Sequence, residues 1–430
     1  MNKEFTPLSS FLSEVLDYRG KTPKKLGSDW SKSGYRVLSA NNVTHGGLKE
    51  IGSIRCVDEK TYLKWMKREI ESGDILLTSE APAGQIMLWG SEEKIVLGQR
   101  LFALRTKQPA DGPFLKYYLQ STLGQKVIRW RTSGSTVSGI SAKMFDHIPV
   151  VAKHSPSSRK KIGEILSILD GKIDLNNRIT EELEGVAKSL YDYWFVQFDF
   201  PTTVAQAAAM GTPRLKGKPY RASGGKMIYN HALKRKIPKG WQNSTIGDAF
   251  KTYLGGTPSR ENRDYWSPAE VNWLSSGENP STFVVKPDER ISKLGLQNSP
   301  AKLLPQGTVI LSIVRHLRAS ILGIEAATNQ SVVGIVETSR FKHCFIYPYL
   351  LREIPRLMVL RTGAQQPHIN KGVLDESLLV VPDESTLEAY TSLAAPLFLQ
   401  IKNFSEQNKE LTELRDWLLP ILMNGQVSVR

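Results

Sequence analysis

The chain has 430 residues, a net charge of +15 and an apolar fraction of 40%. Its length exceeds the usual size of one hydrophobic core, so two or three domains are expected. No stretch approaches the roughly 18 consecutive apolar residues that span a membrane, and the first residues lack the apolar core of a signal peptide, which predicts a soluble, cytoplasmic protein.

Residues 1–155 are predicted to form a first globular domain of mixed strand and turn. Short β-branched or aromatic runs bounded by Gly, Asn and Ser predict strands, as in GYRVLSA, GDILLT and QRLFALR. One helix is predicted between Phe114 and Trp130, because apolar residues recur there at steps of three and four. The run TSGSTVSGIS that follows is typical of an exposed loop.

A heptad ladder from Ile162 to Trp194 predicts a long helix within residues 156–200. The steps alternate between four and three residues, which places the side chains on one seam of a helix. The predicted helix would span roughly 50 Å. The apolar seam positions are Ile162, Leu166, Leu169, Ile173, Leu183 and Leu190.

Residues 201–240 are interpreted as a basic linker. Gly, Pro and Lys dominate this segment, which argues against a packed core. No carboxylate occurs between Phe200 and Asp248, whereas nine cationic residues do: Arg214, Lys216, Lys218, Arg221, Lys226, Lys234, Arg235, Lys236 and Lys239. Because they do not lie on an amphipathic helix, a nucleic acid is favoured over a membrane as the polyanionic partner.

The second half of the chain repeats the order of the first, with a globular domain at 241–384 and a long helix at 385–430. A second ladder begins at Leu393 and keeps the register of the first, with apolar seam positions Leu393, Leu397, Phe404, Leu411, Leu414 and Leu418. Matched elements include Gly20–Pro23 with Gly255–Pro258, Leu38–Ser39 with Leu274–Ser275, Gly73 with Gly307, Gln99 with Gln330, Tyr118–Leu119 with Tyr349–Leu350, and Ile140 with Ile369. Such regular self-similarity indicates internal duplication.

The two long helices are expected to pack on each other. A compact domain of about 140 residues brings its two ends together more easily than it holds them about 50 Å apart, which favours an antiparallel pair. The predicted fold is therefore α/β (α+β), with two globular domains, an antiparallel coiled coil and a pseudo-twofold internal repeat. Polar seam residues Asn176, Thr180, Gln400 and Gln407 either fix register or are local imperfections of the coil.

Two separated domains on a rod, in a basic protein, suggest recognition of two half-sites on duplex DNA, about 34 Å apart for one helical turn. No catalytic constellation accompanies them: the sequence lacks an Asn/Asp-Pro-Pro-aromatic loop, a phosphate-binding loop and an HExxH motif. The two cysteines, Cys56 and Cys344, have no CxxC or His-rich neighbourhood, which favours buried free thiols over a disulfide or a zinc site.

The chain resembles the DNA-specificity subunit of type I restriction-modification systems. The resemblance rests on the GxTP elements at Gly20–Pro23 and Gly255–Pro258, on WFVQFDFP at Trp194–Pro201, on GKPYRASGGKM followed by IPKGW, and on the closing ELTELRDWLLPILMNGQV. It implies a non-catalytic subunit with two target-recognition domains that read a bipartite, asymmetric site, separated by two helices in an antiparallel coiled coil. The segment TTVAQAAAMGTPRL does not match the family pattern.

The resemblance also implies partners and the absence of a bound cofactor. The helices would dock two methyltransferase subunits, and the complex would recruit motor-nuclease subunits. S-adenosylmethionine, ATP and Mg would belong to those partners, and the chain would work with double-stranded DNA in the prokaryotic nucleoid.

Candidate DNA-contacting residues are loop residues with suitable donors, because Arg and Lys can bind guanine, Asn and Gln adenine, and Ser or Thr phosphate or bases. In the first domain they are Lys21, Thr22, Asn41, Asn42, Gln99, Arg100, Ser133, Ser135, Ser138 and Lys143. In the second they are Thr257, Arg260, Asn279, Arg315, Arg318, Gln330, Gln365, Gln366, His368 and Lys371. Thr22, Thr257, Gln99 and Gln330 recur in both halves and are expected to hold the fold or a phosphate. Two alternatives remain: a coiled-coil scaffold with two protein-binding domains, and a stand-alone DNA-modifying enzyme.

Overall fold

The computed structural model describes residues 5–132, 139–151, 153–275, 281–287, 289–363 and 365–427. Two compact units share the chain: residues 1–172 with 411–430, and residues 173–410. Among the described residues, no helix combines the length and the apolar character that crossing a membrane requires.

The first unit is built around a four-stranded antiparallel sheet in the order β2-β10-β7-β8. A smaller sheet pairs β3 antiparallel with β6 and parallel with β9, and β1 pairs with β11. The strands are β1 (Phe5–Pro7), β2 (Leu12–Asp17), β3 (Tyr35–Leu38), β4 (Val43–Thr44), β5 (Gly47–Leu48), β6 (Cys56–Val57), β7 (Ile75–Thr78), β8 (Ile86–Leu88), β9 (Val96–Leu97), β10 (Leu101–Thr106) and β11 (Pro149–Val151). The short helices are α1 (Glu59–Trp65), α2 (Asp111–Gln120) and α3 (Thr122–Arg131).

The main sheet of this unit is covered on both faces. Successive residues of a strand point to opposite faces, so the apolar run Ile75–Leu77 supplies two hydrophobic clusters at once. Ile75, Leu77, Phe102 and Leu104 belong to one cluster, whereas Leu76, Leu101 and Ala103 belong to the other. A continuous apolar run, and not an alternating one, is what a strand buried on both faces requires.

The single helix predicted between Phe114 and Trp130 is divided into α2 and α3 at Ser121. Its hydroxyl accepts a hydrogen bond from the Gly124 N–H (3.2 Å), the bond of an N-cap residue that starts a new helix. Gly124 also lies close to the preceding turn, since a Cβ there would be 2.2 Å from the Tyr118 carbonyl oxygen. The prediction missed the break because the apolar spacing continues across it.

The second unit repeats this topology. Its five-stranded sheet has the order β15-β22-β19-β20-β17, and in a second sheet β16 pairs antiparallel with β18 and parallel with β21. The strands are β12 (Met227–Asn230), β13 (Arg235–Pro238), β14 (Gln242–Thr245), β15 (Thr252–Leu254), β16 (Val271–Leu274), β17 (Phe283–Val284), β18 (Glu289–Ile291), β19 (Val309–Ser312), β20 (Arg318–Leu322), β21 (Ala327–Thr328), β22 (Val332–Ile335) and β23 (Leu378–Val381). Its short helices are α5 (Val204–Ala209), α6 (Ile246–Ala249), α7 (Lys293–Gln297), α8 (His343–Val359) and α9 (Lys371–Asp375).

The order β15-β22-β19-β20 reproduces β2-β10-β7-β8 strand for strand, and β18-β16-β21 reproduces β6-β3-β9. Gly73 and Gly307, which the sequence repeat matches, both have positive φ, at 98° and 87°. The duplication predicted from the sequence is thus present in the topology of each unit.

Two long helices, α4 (Pro156–Tyr191) and α10 (Glu384–Met423), contribute to both units. In the second unit Asn176 of α4 bonds Gln407 and Asn408, whereas Tyr191 contacts Tyr390. Residues further along α4 contact residues earlier in α10, so the two helices are antiparallel. In the first unit Asp170 and Arg415 form an ion pair of 3.0 Å, and Ile162 and Leu166 share a cluster with Leu422 and Met423. The antiparallel prediction is confirmed.

The seam of α10 differs from the predicted one. Leu393 and Leu414 are exposed by 53% and 43%, and the buried residues are the neighbours Ala394, Phe398 and Ile401. A straight helix has 3.6 residues per turn, so a ladder counted at 3.5 drifts around it. Leu393 and Leu414 therefore point away from α4, in contrast to the prediction.

The segment 201–240 is folded, which corrects its interpretation as a linker without a core. It contains α5 and the hairpin β12–β13, and its aromatic residues are packed. Phe200 stacks on Tyr220 (4.8 Å between ring centroids) and on Trp241 (5.0 Å). These few large rings outweigh the Gly, Pro and Lys content, because aromatic side chains bury much more area than the residues that surround them.

Candidate nucleic-acid interface

Four loops of the first unit line one cleft of about 550 Å³. They follow β2, β3, β5 and β9, which brings the GxTP element beside three segments that are distant in sequence. Six of the predicted residues line this cleft: Lys21, Thr22, Asn41, Asn42, Gln99 and Arg100. The sequence repeat thus selected loops that the fold brings together.

Asn41, Gln99 and Arg100 are the exposed members of this set. Arg100 has the left-handed backbone conformation (φ 64°), and its guanidinium lies 3.4 Å from the Glu80 carboxylate. Both side chains of this pair are well exposed, so the ion pair is weak and can be exchanged for a phosphate or a base. These three residues have donors available for a ligand in the cleft.

Asn42 and Lys21 are instead held by the fold. Asn42 is only 6% exposed, and its side-chain oxygen accepts hydrogen bonds from the Ser39 N–H (3.0 Å) and hydroxyl (2.9 Å). The Lys21 ammonium donates to the Trp65 carbonyl oxygen at 2.6 Å. Burial, and then the charge of Lys67, lower the pKa of Lys21. Thr22 accepts a turn hydrogen bond from the Lys25 N–H (3.3 Å).

The same cleft contains basic residues that the sequence reasoning missed. The Arg55 guanidinium lies 3.7 Å from the centroid of the Trp30 ring, a cation–π contact that leaves its N–H groups free at the edge of the cleft. Lys24 is exposed beside it. Arg55 and Trp30 are far apart along the chain, so no local spacing in the sequence could have paired them.

The remaining described candidate of the first unit, Lys143, lies outside the cleft. Lys143 is exposed on a short 3₁₀ helix, Ala142–His147, whereas Ser133, Ser135 and Ser138 lie outside the described residues. The loop after β7 reaches this region, because Glu80 and Gly139 form a β-bridge and the Ile140 N–H donates to the Ser79 carbonyl (2.9 Å).

In the second unit, the GxTP element is held closely against the chain. A Cβ at Gly255 would lie 2.2 Å from the Asn329 carbonyl oxygen, so the close approach requires glycine. The Thr257 hydroxyl bonds the side chain of Gln330. Arg260 pairs with Glu289 (2.7 Å) and stacks on Trp266 (3.6 Å). These three candidates are thus already bound within the unit, and Asn279 lies outside the described residues.

A second group in this unit has free donors. Val314 and Thr362 each form a β-bridge with His368, and the Arg315 N–H donates to the Pro367 carbonyl (2.7 Å). The contact brings the loop before β20 beside the loop after α8. Arg315, with φ 59°, and the candidates Arg318, Gln365, Gln366 and His368 are exposed around it. Lys371 is instead paired with Asp375 on α9.

Comparison with known protein families identifies the family of this chain. The model of the type I restriction modification DNA specificity domain matches residues 8–185 and again residues 238–386. The chain belongs to this family. The resemblance predicted from the sequence is thereby confirmed, and the family supplies DNA recognition, not catalysis, so the stand-alone enzyme is not supported.

Individual proteins agree with the family match. The MjaIX specificity subunit of Methanocaldococcus jannaschii is 24% identical over 383 residues, covering 87% of this chain and 82% of the relative. The HindI specificity subunit of Haemophilus influenzae is 22% identical over 326 residues, covering 66% and 70%. The crystal structure of an S subunit from M. genitalium has 14% identity and a TM-score of 0.57, and covers 98% of this chain and 97% of that one. That likeness concerns the fold.

For a specificity subunit, the useful distinction is between donors that the fold already uses and donors that remain free. The first class contains Asn42, Lys21, Thr257, Arg260 and Lys371. The second class differs between the units in residue type and in loop. Among the described residues, no three His, Cys, Asp or Glu side chains are grouped so that they could hold a metal ion.

Proposed function

We propose that each unit of this specificity subunit reads one half of an asymmetric, bipartite duplex DNA site. The main support is that one topology occurs twice and that the free side chains of the two copies differ, both in residue type and in the loops that carry them. Asn41, Gln99, Arg100 and Arg55 are available in the first unit, and Arg315, Arg318, Gln366 and His368 in the second. Arg and amide side chains make the bidentate contacts that distinguish guanine and adenine in the major groove.

We further propose that the long helices dock the catalytic subunits. Large apolar residues remain exposed on them: Ile168, Leu414 and Trp417 in the first unit, and Leu175, Val186, Leu393 and Leu399 in the second. Ile168, Leu175 and Val186 are 7 and 11 residues apart, so they share one face of α4, and exposed apolar residues on one face of a helix are candidates for an interaction site. The partners would be two methyltransferase subunits, which bring S-adenosylmethionine, and motor-nuclease subunits, which bring ATP and Mg.

The decisive experiment is a genomic map of methylated bases in cells that express the methyltransferase with and without this chain. A split motif that appears only with the chain supports the proposal. A methylation pattern that does not depend on the chain, or a continuous motif without an unread spacer, contradicts it.

A second measurement separates DNA recognition from the scaffold alternative. Binding of the purified full chain, with and without methyltransferase, is titrated against a duplex with the mapped motif and a duplex with both halves scrambled. Recognition predicts tighter, salt-sensitive binding to the first duplex. A scaffold would bind the partner protein equally well whichever duplex competes.

A further inference from the structure

The segment 201–240 carries a dense set of exposed cations outside both candidate recognition clusters. Eight of its nine Lys and Arg residues are exposed: Arg214, Lys216, Lys218, Arg221, Lys226, Lys234, Lys236 and Lys239. In the part of the chain that the structure describes, none of these eight side chains forms an ion pair. Unpaired cations at this density repel one another unless an anion is bound.

The segment holds these cations on a fixed backbone. Thr202 and the chain around Lys218 exchange hydrogen bonds, with the Thr202 N–H donating to the Lys218 carbonyl (2.9 Å) and the Gly217 N–H to the Thr202 carbonyl (2.9 Å). The Lys239 N–H donates to the Lys226 carbonyl (2.8 Å) at the base of the hairpin. Tyr220 and Trp241 stack on the buried Phe200. The lysines are therefore presented by ordered chain.

The ninth cationic residue, Arg235, differs from the other eight because it is partly buried and contacts an aromatic ring. Arg235 is partly buried, with its guanidinium 5.1 Å from the centroid of the Phe198 ring. Burial lowers its pKa, and the approach of Arg352 adds to this. The other eight make no comparable contact with an aromatic ring in the described residues, so they have no evident task within the unit.

Acidic residues around the segment form no ion pair with its exposed cations in the described residues. Asp199 accepts a hydrogen bond from the Ala222 N–H (2.7 Å), and Asp383 accepts one from the Trp241 indole (2.9 Å). Glu353 and Glu376 line a pocket with Lys234 and Arg235, and Glu353 is paired with Arg356 (2.6 Å). Seven of the eight exposed cations lie outside this pocket.

We propose that the basic segment, defined as residues 201–240, binds the phosphate backbone of duplex DNA without reading its sequence. This inference rests on the proposed DNA recognition and adds a third contact surface to it. Six of the eight exposed cations are lysines, a residue type that is depleted in protein–protein interfaces and that binds phosphate as a compact point charge. The surface therefore fits a polyanion better than a protein partner.

The test is the salt dependence of DNA binding by the full chain. The variant K216Q/K218Q/K226Q/K239Q removes four exposed charges that no described ion pair uses. If each lysine neutralises one phosphate, the slope of log K against log salt falls by about 3 to 4. Affinity should fall equally for a specific and an unrelated duplex, so that their ratio is unchanged.

A matched control removes charge elsewhere. The variant K172Q/K188Q/K302Q replaces three exposed lysines outside the segment that form no ion pair in the described residues. Its salt slope should stay within about 1 of the unsubstituted chain. The control removes three charges and the test variant four, so a fall of the slope that is equal per charge removed would show a general charge effect and overturn the proposal.

Lysine acetylation of the unsubstituted chain provides a readout that does not depend on the folding of any variant. Duplex DNA should protect Lys216, Lys218, Lys226 and Lys239, and leave Lys172, Lys188 and Lys302 reactive. Failure of the unsubstituted chain to bind any duplex would overturn the proposed function. Normal DNA binding with unprotected segment lysines, or protection only by the partner protein, would overturn this inference alone.

Discussion

Two adjacent asparagines in the first unit, Asn41 and Asn42, have the same side chain but different surroundings. Asn42 is buried and receives two hydrogen bonds from Ser39, which closes the turn after β3. Asn41 is exposed toward the cleft. A donor on a loop is available for DNA only if the fold leaves it unused, and that depends on partners rather than on residue type.

The pair provides a matched test of this distinction. Asn42→Ala leaves the Ser39 N–H and hydroxyl without their acceptor, so the free energy of unfolding should fall by about 1 to 3 kcal/mol. Asn41→Ala should leave stability within about 0.5 kcal/mol, the usual range for surface sites, and weaken binding to the specific duplex. Denaturant titration and duplex titration measure the two effects. A stable Asn42→Ala protein with weakened DNA binding would reverse the assignment.

The sequence predicted which loops the fold brings together more reliably than which side chains the fold leaves unpaired. Arg260 and Lys371 were candidates because Arg and Lys bind nucleic acid, yet both are paired with carboxylates. Asp375 follows Lys371 by one helical turn on α9, and this spacing was visible in the sequence. Arg260 pairs with a carboxylate on β18, and Arg55 with a ring in a different loop, so those two pairings depend on the tertiary fold.

At the level of secondary-structure elements, the periodic pattern predicted the two long helices better than it predicted which of their side chains are buried. The ladder predicted their existence and approximate length, and the size of the domain between them predicted their antiparallel direction. It failed in side-chain detail on α10, where Ala394 is buried and Leu393 is exposed. Small residues such as Ala394 permit close approach of two helices. A prediction that looks for large apolar residues does not identify them as seam positions.

Asn176 lies at the centre of this helix pair in the second unit. It is fully buried, donates to Gln407 (3.3 Å) and Asn408 (2.9 Å), and its carbonyl oxygen has no partner among the described residues. Asn176 and Gln407 are matched positions of the two ladders, and they face each other, as on a local twofold axis of an antiparallel pair. Of the two readings of the polar seam, this network favours a role in register.

Asn176→Leu should therefore raise the free energy of unfolding by about 1 kcal/mol, because it removes an unsatisfied buried oxygen and adds apolar contact. The control is Asn177→Leu at the exposed neighbouring position, which loses one surface hydrogen bond from Asn408 (2.8 Å) and should change stability little. Denaturant midpoints compare the two. A clear loss of stability in Asn176→Leu would mean that its two donated bonds outweigh the unpaired oxygen.

Asp170 joins three helices of the first unit. Its carboxylate lies 2.7 Å from the Lys116 ammonium on α2 and 3.0 Å from the Arg415 guanidinium on α10, and accepts from the Tyr117 hydroxyl (2.6 Å). Burial acts to raise the pKa of Asp170, but the charge of Lys116 and the hydrogen bonds outweigh it, and the pKa is lowered. The charged form is thus stabilised by folding.

A lowered pKa in the folded state means that this stabilisation is complete above the ordinary aspartate pKa, about 3.9, and is lost as the pH falls through the lower folded value. Asp170→Asn should cost about 2 to 3 kcal/mol at neutral pH, because two cations lose their anion, and should flatten the acid limb of a stability–pH curve. Asp416→Asn, at a surface ion pair with Arg415, should cost less than about 1 kcal/mol. Equal costs would contradict the distinction.

For the whole molecule, the duplication could be predicted from the sequence because matched glycines and core residues keep nearly the same spacing in both halves. The fold of residues 201–240 could not be predicted in this way. Its buried residues Tyr220 and Ile237 belong to one cluster with Phe200 and Trp241, which flank the segment, and these four residues follow neither a helical nor a strand period. A core assembled from isolated aromatic residues has no periodic signature, and its composition resembles that of a flexible linker.

Because the two units have different free donors, single substitutions in the full chain should show which half of the DNA motif each unit recognises. Arg55 at the cleft of the first unit and Arg318 at the start of β20 in the second are exposed and are not bound by a described carboxylate. An arginine that reads guanine contributes about 1 to 3 kcal/mol of discrimination. Arg55→Ala should therefore relax one half of the split methylation motif by about 5- to 150-fold, and Arg318→Ala the other half.

Methylome maps of the two variants, made with the same methyltransferase, measure this directly. The half-motif that a variant leaves unchanged is its internal control, because a general loss of folding or of partner binding would weaken both halves together. The double variant should relax each half as much as the corresponding single variant does, so that the loss of discrimination for the whole site is the product of the two effects. Relaxation of the same half by both single variants would contradict the assignment of one half-site to each unit.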